Sequence, residues 1–305
     1  MNIAIENVRK QYGTVTALDG LSLTIPSGST FGLLGTNGAG KTTLFRLLVG
    51  HDRPDAGTIT VGGMDVASSG VRVREHVGYL PDSIGFPGSL TGWETLEFYA
   101  NIHEVPQTER HARIHEALDL VGLSDAGDRR VKGYSNGMGR RLGLAAVLIG
   151  QPSVLVLDEP TAGLDPLGVA AFHRIVHRVS DETQATIVFA SHALDEVERL
   201  CDDVAVIHEG QLLAAGCVDH IVEGEAGETT LSLHIPDAAD RDATVQQLSA
   251  AEYISTRGAT VDVTCANDSI LDVLASIDPE AVEHLNIERA SLTTAFRNTV
   301  EEGHA

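Results

Sequence analysis

"TFGLLGTNGAGKTT", residues 30 to 43, joins a continuous apolar run to a glycine-rich loop and the start of a helical pattern. An apolar run that ends in glycine is typical of a fully buried parallel strand, and "KTTLFRLLVG" has the periodicity of a helix. Residues 35–43 fit the pattern G-x-x-x-x-G-K-[ST], in the strand–loop–helix context that this pattern requires. The stretch therefore predicts an α/β domain with a phosphate-binding loop.

The chemistry of this loop follows from its residue types. Its glycines let backbone N–H groups point inward at phosphate oxygens, Lys41 can reach the β and γ phosphates, and the Thr42 hydroxyl is placed to ligate Mg²⁺. A glycine turn without a ligand is the alternative, and the flanking strand and helix disfavour it. The candidate nucleotide-binding residues are Gly35, Thr36, Asn37, Gly38, Ala39, Gly40, Lys41, Thr42 and Thr43.

On both sides of the loop, the sequence pattern predicts further strands and helices. Before it, "IAIENV" and the alternating "LSLTI" indicate antiparallel strands; after it, residues 91–149 are mostly helical. Strands return with "SVLVLD" and "ATIVFA", and "DVAVIHEGQLLAAG" indicates a hairpin. We expect an α/β phosphate-loop core with an antiparallel β subdomain and a helical insertion at about 83–150.

The character of the chain changes after Gly216. We expect the first domain to span 1–216, a polar linker to span 217–228, and a small α+β domain to span 229–305. In that last domain the pattern predicts strands at "TTLSLHI", "YISTRG" and "TVDVTC", and helices at "ATVQQLSA", "SILDVLASI" and "SLTTAFRN". No motif that carries chemistry is visible there.

Two later segments bring polar groups to strand ends. "VLVLDEP" places Asp158 and Glu159 at the carboxyl end of a buried strand, the edge where open α/β sheets bind ligands. We expect Asp158 to hold Mg²⁺, and Glu159 to point the other way along the pleat and to orient or polarise an attacking water. His192 ends another strand; a γ-phosphate sensor is favoured over an ordinary surface or core histidine.

The charge of the chain is strongly negative, with 43 acidic against 21 basic residues and a net charge of −22. This balance disfavours a nucleic-acid partner, because proteins bind nucleic-acid phosphates with Lys and Arg. An acidic, lysine-poor surface also resembles proteins of salt-loving organisms, where cations screen self-repulsion; a specific basic partner is the alternative. No apolar run approaches the roughly 18 residues that cross a bilayer, and the first residues do not resemble a signal peptide.

Taken together in this order, the motifs resemble those of the nucleotide-binding subunit of an ABC transporter, over residues 2 to about 216. The resemblance implies an adenine-stacking role for Tyr12, a Walker B motif at 154–158 and a catalytic carboxylate at Glu159. It also implies a D-loop ending at Asp165 and a switch role for His192. "YSNGM" occupies the signature position, which is usually written LSGGQ and which gives Ser135, Asn136, Gly137 and Met138 as residues that contact the partner's nucleotide.

The chain departs from this family pattern in two places. Asn136 and Met138 replace a glycine and a glutamine of the signature, while Ser135 and Gly137 are kept. Asp82 stands where many members have the Q-loop glutamine, and an aspartate there can still ligate Mg²⁺. Both departures resemble the ABC-2 export branch, within which "PDSIGFPGSLTGWETLEFYA" is similar to ATPases of nitrous oxide reductase maturation and copper-site assembly. Drug and sodium exporters are close rivals.

The resemblance implies an ATPase that dimerises head to tail around two Mg·ATP and drives a separate integral-membrane permease, at the cytoplasmic face of the membrane. The partner in the dimer is a second copy or a similar subunit. A soluble ABC ATPase acting on nucleic acid or ribosomes is the alternative, although the acidic balance disfavours it. A phosphate-loop kinase or GTPase would leave the signature at 134–138 without an explanation.

Overall fold

The computed structural model describes residues 1–218, 228–248, 251, 253–266, 269–279 and 281–289. The chain divides into two compact units, Met1–Gly216 and Cys217–Ala305. Most of the segment 217–228, for which we predicted a linker, lies outside the described residues, as does the whole helix predicted at 291–298.

The first unit alternates strands and helices. Its strands are β1 (Ile3–Tyr12), β2 (Val15–Ile25), β3 (Thr30–Leu34), β4 (Ala56–Val61), β5 (Met64–Asp65), β6 (Val77–Leu80), β7 (Val154–Asp158), β8 (Thr186–Ala190), β9 (Asp203–His208) and β10 (Gln211–Cys217). Its helices are α1 (Lys41–Leu48), α2 (Val66–Arg74), α3 (Gly92–Ile102), α4 (Gln107–Leu120), α5 (Asn136–Leu148), α6 (Pro166–Thr183) and α7 (Leu194–Leu200).

The central sheet has the strand order β10-β9-β3-β8-β7-β6 among the described residues. β3 pairs in parallel with β8 and β9, and β7 pairs in parallel with β6 and β8. Every residue of β3, β7 and β8 is buried, because helices and the second sheet cover both faces of a parallel sheet. The predicted α/β core is confirmed, and the carboxyl ends of these strands meet at one edge.

A separate antiparallel sheet, ordered β2-β1-β4-β5 among the described residues, packs against this core. β1 and β2 pair from Ile3 opposite Ile25. Leu21, Leu23 and Ile25 are buried, as their alternation along β2 predicts. One apolar cluster contains residues of both sheets and of α1, so the antiparallel sheet is part of the same core.

The helical insertion contains α3, α4 and α5, which contact one another. α3 begins with a capping box, in which the Thr91 hydroxyl accepts from Glu94 N–H and the Glu94 carboxylate accepts from Thr91 N–H. The apolar stripe of α5 is buried, as its spacing predicts. Among the described helices, none has both the length and the apolarity to span a bilayer.

The second unit contains an antiparallel sheet of order β12-β13-β11-β14 within the described residues. Its elements are β11 (Glu228–His234), α8 (Ala238–Gln247), β12 (Tyr253–Arg257), β13 (Thr260–Ala266), α9 (Ile270–Ala275) and β14 (His284–Arg289). α8 begins earlier than its periodicity predicts, because Asp237 caps it by accepting from the N–H groups of Ala239 and Asp240. β14 was not predicted. Leu231, Leu233 and apolar residues of β13 form the unit's own core.

Candidate nucleotide-binding site

The glycine loop lies between β3 and α1, where two glycines are required by space. A Cβ on Gly40 would lie 2.5 Å from the Ala17 carbonyl oxygen, and one on Gly35 would lie 2.4 Å from that of Ile207. Gly40 also has a φ of 107°, in the left-handed region. It precedes α1 without a side-chain cap, so the first N–H groups of α1 remain available to an anion.

Lys41 folds back over this loop. Its ammonium donates to the Gly35 carbonyl at 2.6 Å and lies 3.8 Å from Oε1 of Glu159. The side chain is buried, and burial lowers its pKa, while the charges of Glu159 and Asp158 act in the opposite direction. The cation is therefore held at the mouth of the loop beside both carboxylates.

Asp158 ends β7 and is almost fully buried, at 2% exposure. Its Oδ2 accepts from the Tyr79 hydroxyl at 3.1 Å, whereas its Oδ1 is buried without a hydrogen-bond partner in the described part of the chain. Burial raises the pKa of Asp158, and the nearby hydroxyl groups of Tyr79 and Thr42 lower it. The unpaired Oδ1 of Asp158, together with the Thr42 hydroxyl, suits a divalent cation that takes its other ligands from phosphate oxygens.

Glu159 does not continue the pleat of β7, on which the prediction of its orientation was based. The strand ends at Asp158, and Glu159 has a φ of 45°, which is uncommon for a residue with a side chain. Its N–H donates to the Ala190 carbonyl at 3.0 Å, and its Oε2 lies 2.7 Å from Nδ1 of His192. The turn at the strand end thus places the carboxylate between Lys41 and His192.

The signature residues lie at the start of α5. Ser135 is the N-cap, and its hydroxyl accepts from the Met138 N–H at 3.2 Å. The Asn136 amide donates to the Gly163 carbonyl at 3.0 Å, which ties the signature to the predicted D-loop. Ser135 and Asn136 share a cavity of about 450 Å³ with Asp82. Among the described residues, no hydrogen bond joins the signature to the glycine loop.

Asp165 and Tyr12 each have a clear partner. The Asp165 carboxylate accepts from the Gly168 N–H at 2.6 Å and caps α6, whose first residue is Pro166. Tyr12 ends β1 with its ring 42% exposed, and its hydroxyl donates to Asp52 at 2.6 Å. Burial and the neighbouring Asp52 raise the pKa of Tyr12. Both residues are therefore held in one orientation.

Two residues near the carboxylates were not found by sequence reasoning. Tyr79 lies opposite Val156 in the β6–β7 pairing and so reaches Asp158, two residues further along the strand. Arg140, on α5, is 6% exposed and donates to backbone carbonyls on both sides of the site. The signals that could have indicated them are the tyrosine within "VGYL" and the pair of arginines, Arg140 and Arg141, that precedes the apolar part of α5.

Known proteins show the same domain. A family described as ABC transporter matches residues 18–162. An uncharacterized ABC transporter ATP-binding protein of Nostoc sp. is 42% identical over 72% of this chain and 68% of its own length. Nod factor export ATP-binding protein I of Burkholderia lata is 38% identical over 78% of each chain. The solved structure of cbiO1 from Clostridium perfringens, part of the ABC transporter complex cbiONQ, has a TM-score of 0.66 and is 32% identical, covering 70% of this chain and 88% of that one.

Proposed function

This chain belongs to the family of ABC transporter ATP-binding proteins and is an ATPase, and we propose that it powers export through a separate membrane permease. The observation that carries the ATPase site is the contact of Glu159 with both Lys41 and His192 at the edge of the parallel sheet. The relative named for Nod factor export supports the direction of transport.

Each residue of this cluster has a role in the proposed hydrolysis. The loop N–H groups and Lys41 bind the β and γ phosphates, and Tyr12 presents its ring to the adenine. Glu159 accepts the proton of an attacking water as the water oxygen bonds to the γ phosphorus. The bond to the bridging oxygen breaks, and its electron pair leaves with ADP. His192 holds the carboxylate through Nδ1 and turns its other nitrogen to the γ phosphate.

Thr42 and Asp158 are the residues that would hold Mg²⁺, with Asp82 as a further candidate. The unused Oδ1 of Asp158 supports this assignment. When bound, the ion would neutralise negative charge that develops on the phosphate oxygens.

We also infer that the working form is a dimer. The N-terminus of α5 has no hydrogen bond to the glycine loop of its own chain within the described residues, which supports binding of Ser135 and Gly137 to nucleotide on a second copy or a similar subunit. Asp165 would then lie near the contact between subunits, because Asn136 already joins the signature to its loop.

The partner and setting are proposals as well. A permease partner would place the chain at the cytoplasmic face of a membrane. The net charge of −22 supports a salt-rich habitat and disfavours a nucleic-acid partner. A role in nitrous oxide reductase maturation or copper-site assembly depends on sequence resemblance in the segment 81–100.

The test is Glu159→Gln, which keeps the size of the side chain but removes the base. We expect ATP to bind with unchanged affinity, turnover to fall by at least about 100-fold, and ATP-bound dimer to accumulate in size-exclusion chromatography. Pull-down of the tagged variant from membranes should recover a multi-span protein. Unchanged hydrolysis would remove Glu159 from its role, and the absence of any multi-span protein from the pull-down would exclude the proposed permease partner.

A further inference from the structure

Arg140 makes an unusual set of contacts for a buried arginine. Its guanidinium donates to the carbonyl oxygens of Pro81, Asp82, Asp158, Glu159 and Pro160, at distances from 2.6 to 3.0 Å. All of these acceptors are backbone groups. The side chain therefore recognises the course of two loops rather than one acidic partner, and its planar fork of N–H donors suits this task.

The two loops are those that carry the proposed chemistry. The segment Asp158–Pro160 leaves β7 with both acidic residues, and Pro81–Asp82 leaves β6 at the Q-loop position. The negative charges of Asp82 and Asp158 partly offset the cost of burying the guanidinium. Arg140 is thus a bridge between the ends of two neighbouring strands.

The backbone conformation of Glu159 needs support of this kind. Its φ of 45° costs energy, and such a conformation persists where the surroundings hold it on more than one side. Here the N–H of Glu159 donates to Ala190, and its carbonyl accepts from Nη2 of Arg140 at 2.8 Å. Both peptide groups that flank its Cα are therefore fixed, which fixes the direction in which the side chain leaves the backbone; the contacts with Lys41 and His192 then hold the carboxylate.

Arg140 also connects these two strand ends to the signature helix. Arg140 lies on α5, five residues after the N-cap Ser135, which corresponds to about 7.5 Å along the axis. Asn136 of the same helix donates to Gly163, just beyond the acidic turn. A single helix therefore contacts both the Walker B turn and the predicted D-loop after it, and carries the signature at its start.

We propose that Arg140 is a positioning residue for ATP hydrolysis, which fixes the backbone of Glu159 to the signature helix and so aims its carboxylate. This inference rests on the proposed role of Glu159 as the base. Arg140 touches no atom that reacts; it acts through the two loops.

The test compares Arg140→Gln and Arg140→Lys with Arg113→Gln. Arg113 is a matched control, since it is also partly buried and donates to a backbone carbonyl at the end of α5, that of Ile149, but on the side away from the carboxylates. ATP affinity, KM, kcat and the thermal midpoint are measured for each full-length variant.

We expect Arg140→Gln to lower kcat at least about tenfold, because a small misplacement of a reacting group is costly, while KM for ATP changes less than about twofold. Arg140→Lys should recover part of the loss, because it keeps the charge and some donors. Arg113→Gln should leave kcat and KM as in the wild type. If Arg140→Gln does not fold, Arg140→Lys decides by the same split between kcat and KM.

A wild-type kcat in the folded Arg140 variants would overturn the inference, as would parallel losses in kcat, ATP affinity and thermal midpoint. These outcomes differ from failure of the proposed function. In that case Glu159→Gln would itself hydrolyse ATP, whereas here Glu159→Gln stays inactive and only the Arg140 variants behave normally.

Discussion

Asp82 brings a negative charge to the same edge of the sheet as Asp158. Its side chain is exposed and its carbonyl accepts from Arg140. Burial is the main cause of the raised pKa values of Asp158 and Tyr79, and the charge of Asp82 acts in the same direction. The structure therefore places it near the proposed Mg²⁺ ligands, at the position where the family pattern usually has a neutral glutamine.

Asp82→Gln tests whether this charge serves the metal. An amide oxygen is a weaker Mg²⁺ ligand than a carboxylate, so we expect the Mg²⁺ concentration for half-maximal ATPase to rise about three- to tenfold, or by about 0.7 to 1.4 kcal/mol. Asp125→Gln, which removes an exposed acid elsewhere, is the control. An unchanged Mg²⁺ dependence would exclude Asp82 from the metal site.

For single residues, the sequence indicated which side chains lie at the site better than it indicated their backbone conformations. The positions of Lys41, Asp158 and His192 follow from strand ends, because parallel strands bring their carboxyl ends to one edge. The left-handed φ of Glu159 depends on a hydrogen bond from its N–H to the Ala190 carbonyl and on one from Arg140 to its own carbonyl, and both partners are distant in sequence. Local periodicity contains no information on such contacts, so the backbone conformation of Glu159 was not predicted from it.

The contact between α6 and α7 contains a second polar cluster. The Glu196 carboxylate accepts from Thr161 at 2.6 Å and from Ser191 at 3.2 Å, and so links the segments that follow β7 and β8. His173 on α6 lies 3.9 Å from Glu196, with its side chain 13% exposed. Burial lowers the pKa of His173, nearby His177 and Arg199 act in the same direction, and Glu196 opposes them.

This cluster predicts a pH dependence of stability. A histidine whose pKa is lower in the folded than in the unfolded chain resists protonation, so its contribution is complete above the unfolded value of about 6.5 and is lost as the pH falls below it. We expect the free energy of unfolding of the wild type to fall more steeply from pH 7 to pH 5 than that of His173→Gln, as measured by urea denaturation. Equal slopes would show that His173 is not the group that titrates.

Elements with a strong local pattern were predicted, and several elements without one were not. β3, β7 and β8 are continuous apolar runs, and α3 to α5 have clear periodicity. β4, β5, α2, β6 and β14 were not predicted. For β6 and β14 the reason is that a strand of four residues and the mixed "HLNIER" have little pattern of their own. β6 belongs to the sheet because it pairs with β7 from Val77 opposite Val154, which is a long-range contact.

The whole molecule combines a large negative charge with a proposed dimer. Two copies that each carry a net charge of −22 repel each other, and this repulsion is long-ranged at low ionic strength. Association around nucleotide should therefore be measured at high salt, where the Debye length is about 3 Å at 1 M.

Complementation between two inactive variants tests the arrangement of the dimer. Ser135→Arg places a bulky side chain at the N-terminus of α5 but leaves the glycine loop of the same chain intact, whereas Lys41→Ala damages the glycine loop and leaves the signature intact. Each variant alone should lose at least about 100-fold in hydrolysis. Ser135→Arg should still bind ATP as the wild type does.

If the signature of one copy completes the site of the other, each mixed dimer contains one undamaged site, formed by the loop of the Ser135→Arg chain and the signature of the Lys41→Ala chain. An equal mixture gives mixed dimers as about half of the population, so hydrolysis should recover to about a quarter of the wild-type rate. A site completed within one chain predicts no recovery, since each chain then carries one damaged half. The ATPase rate of the mixture, titrated at constant total protein, distinguishes these two arrangements.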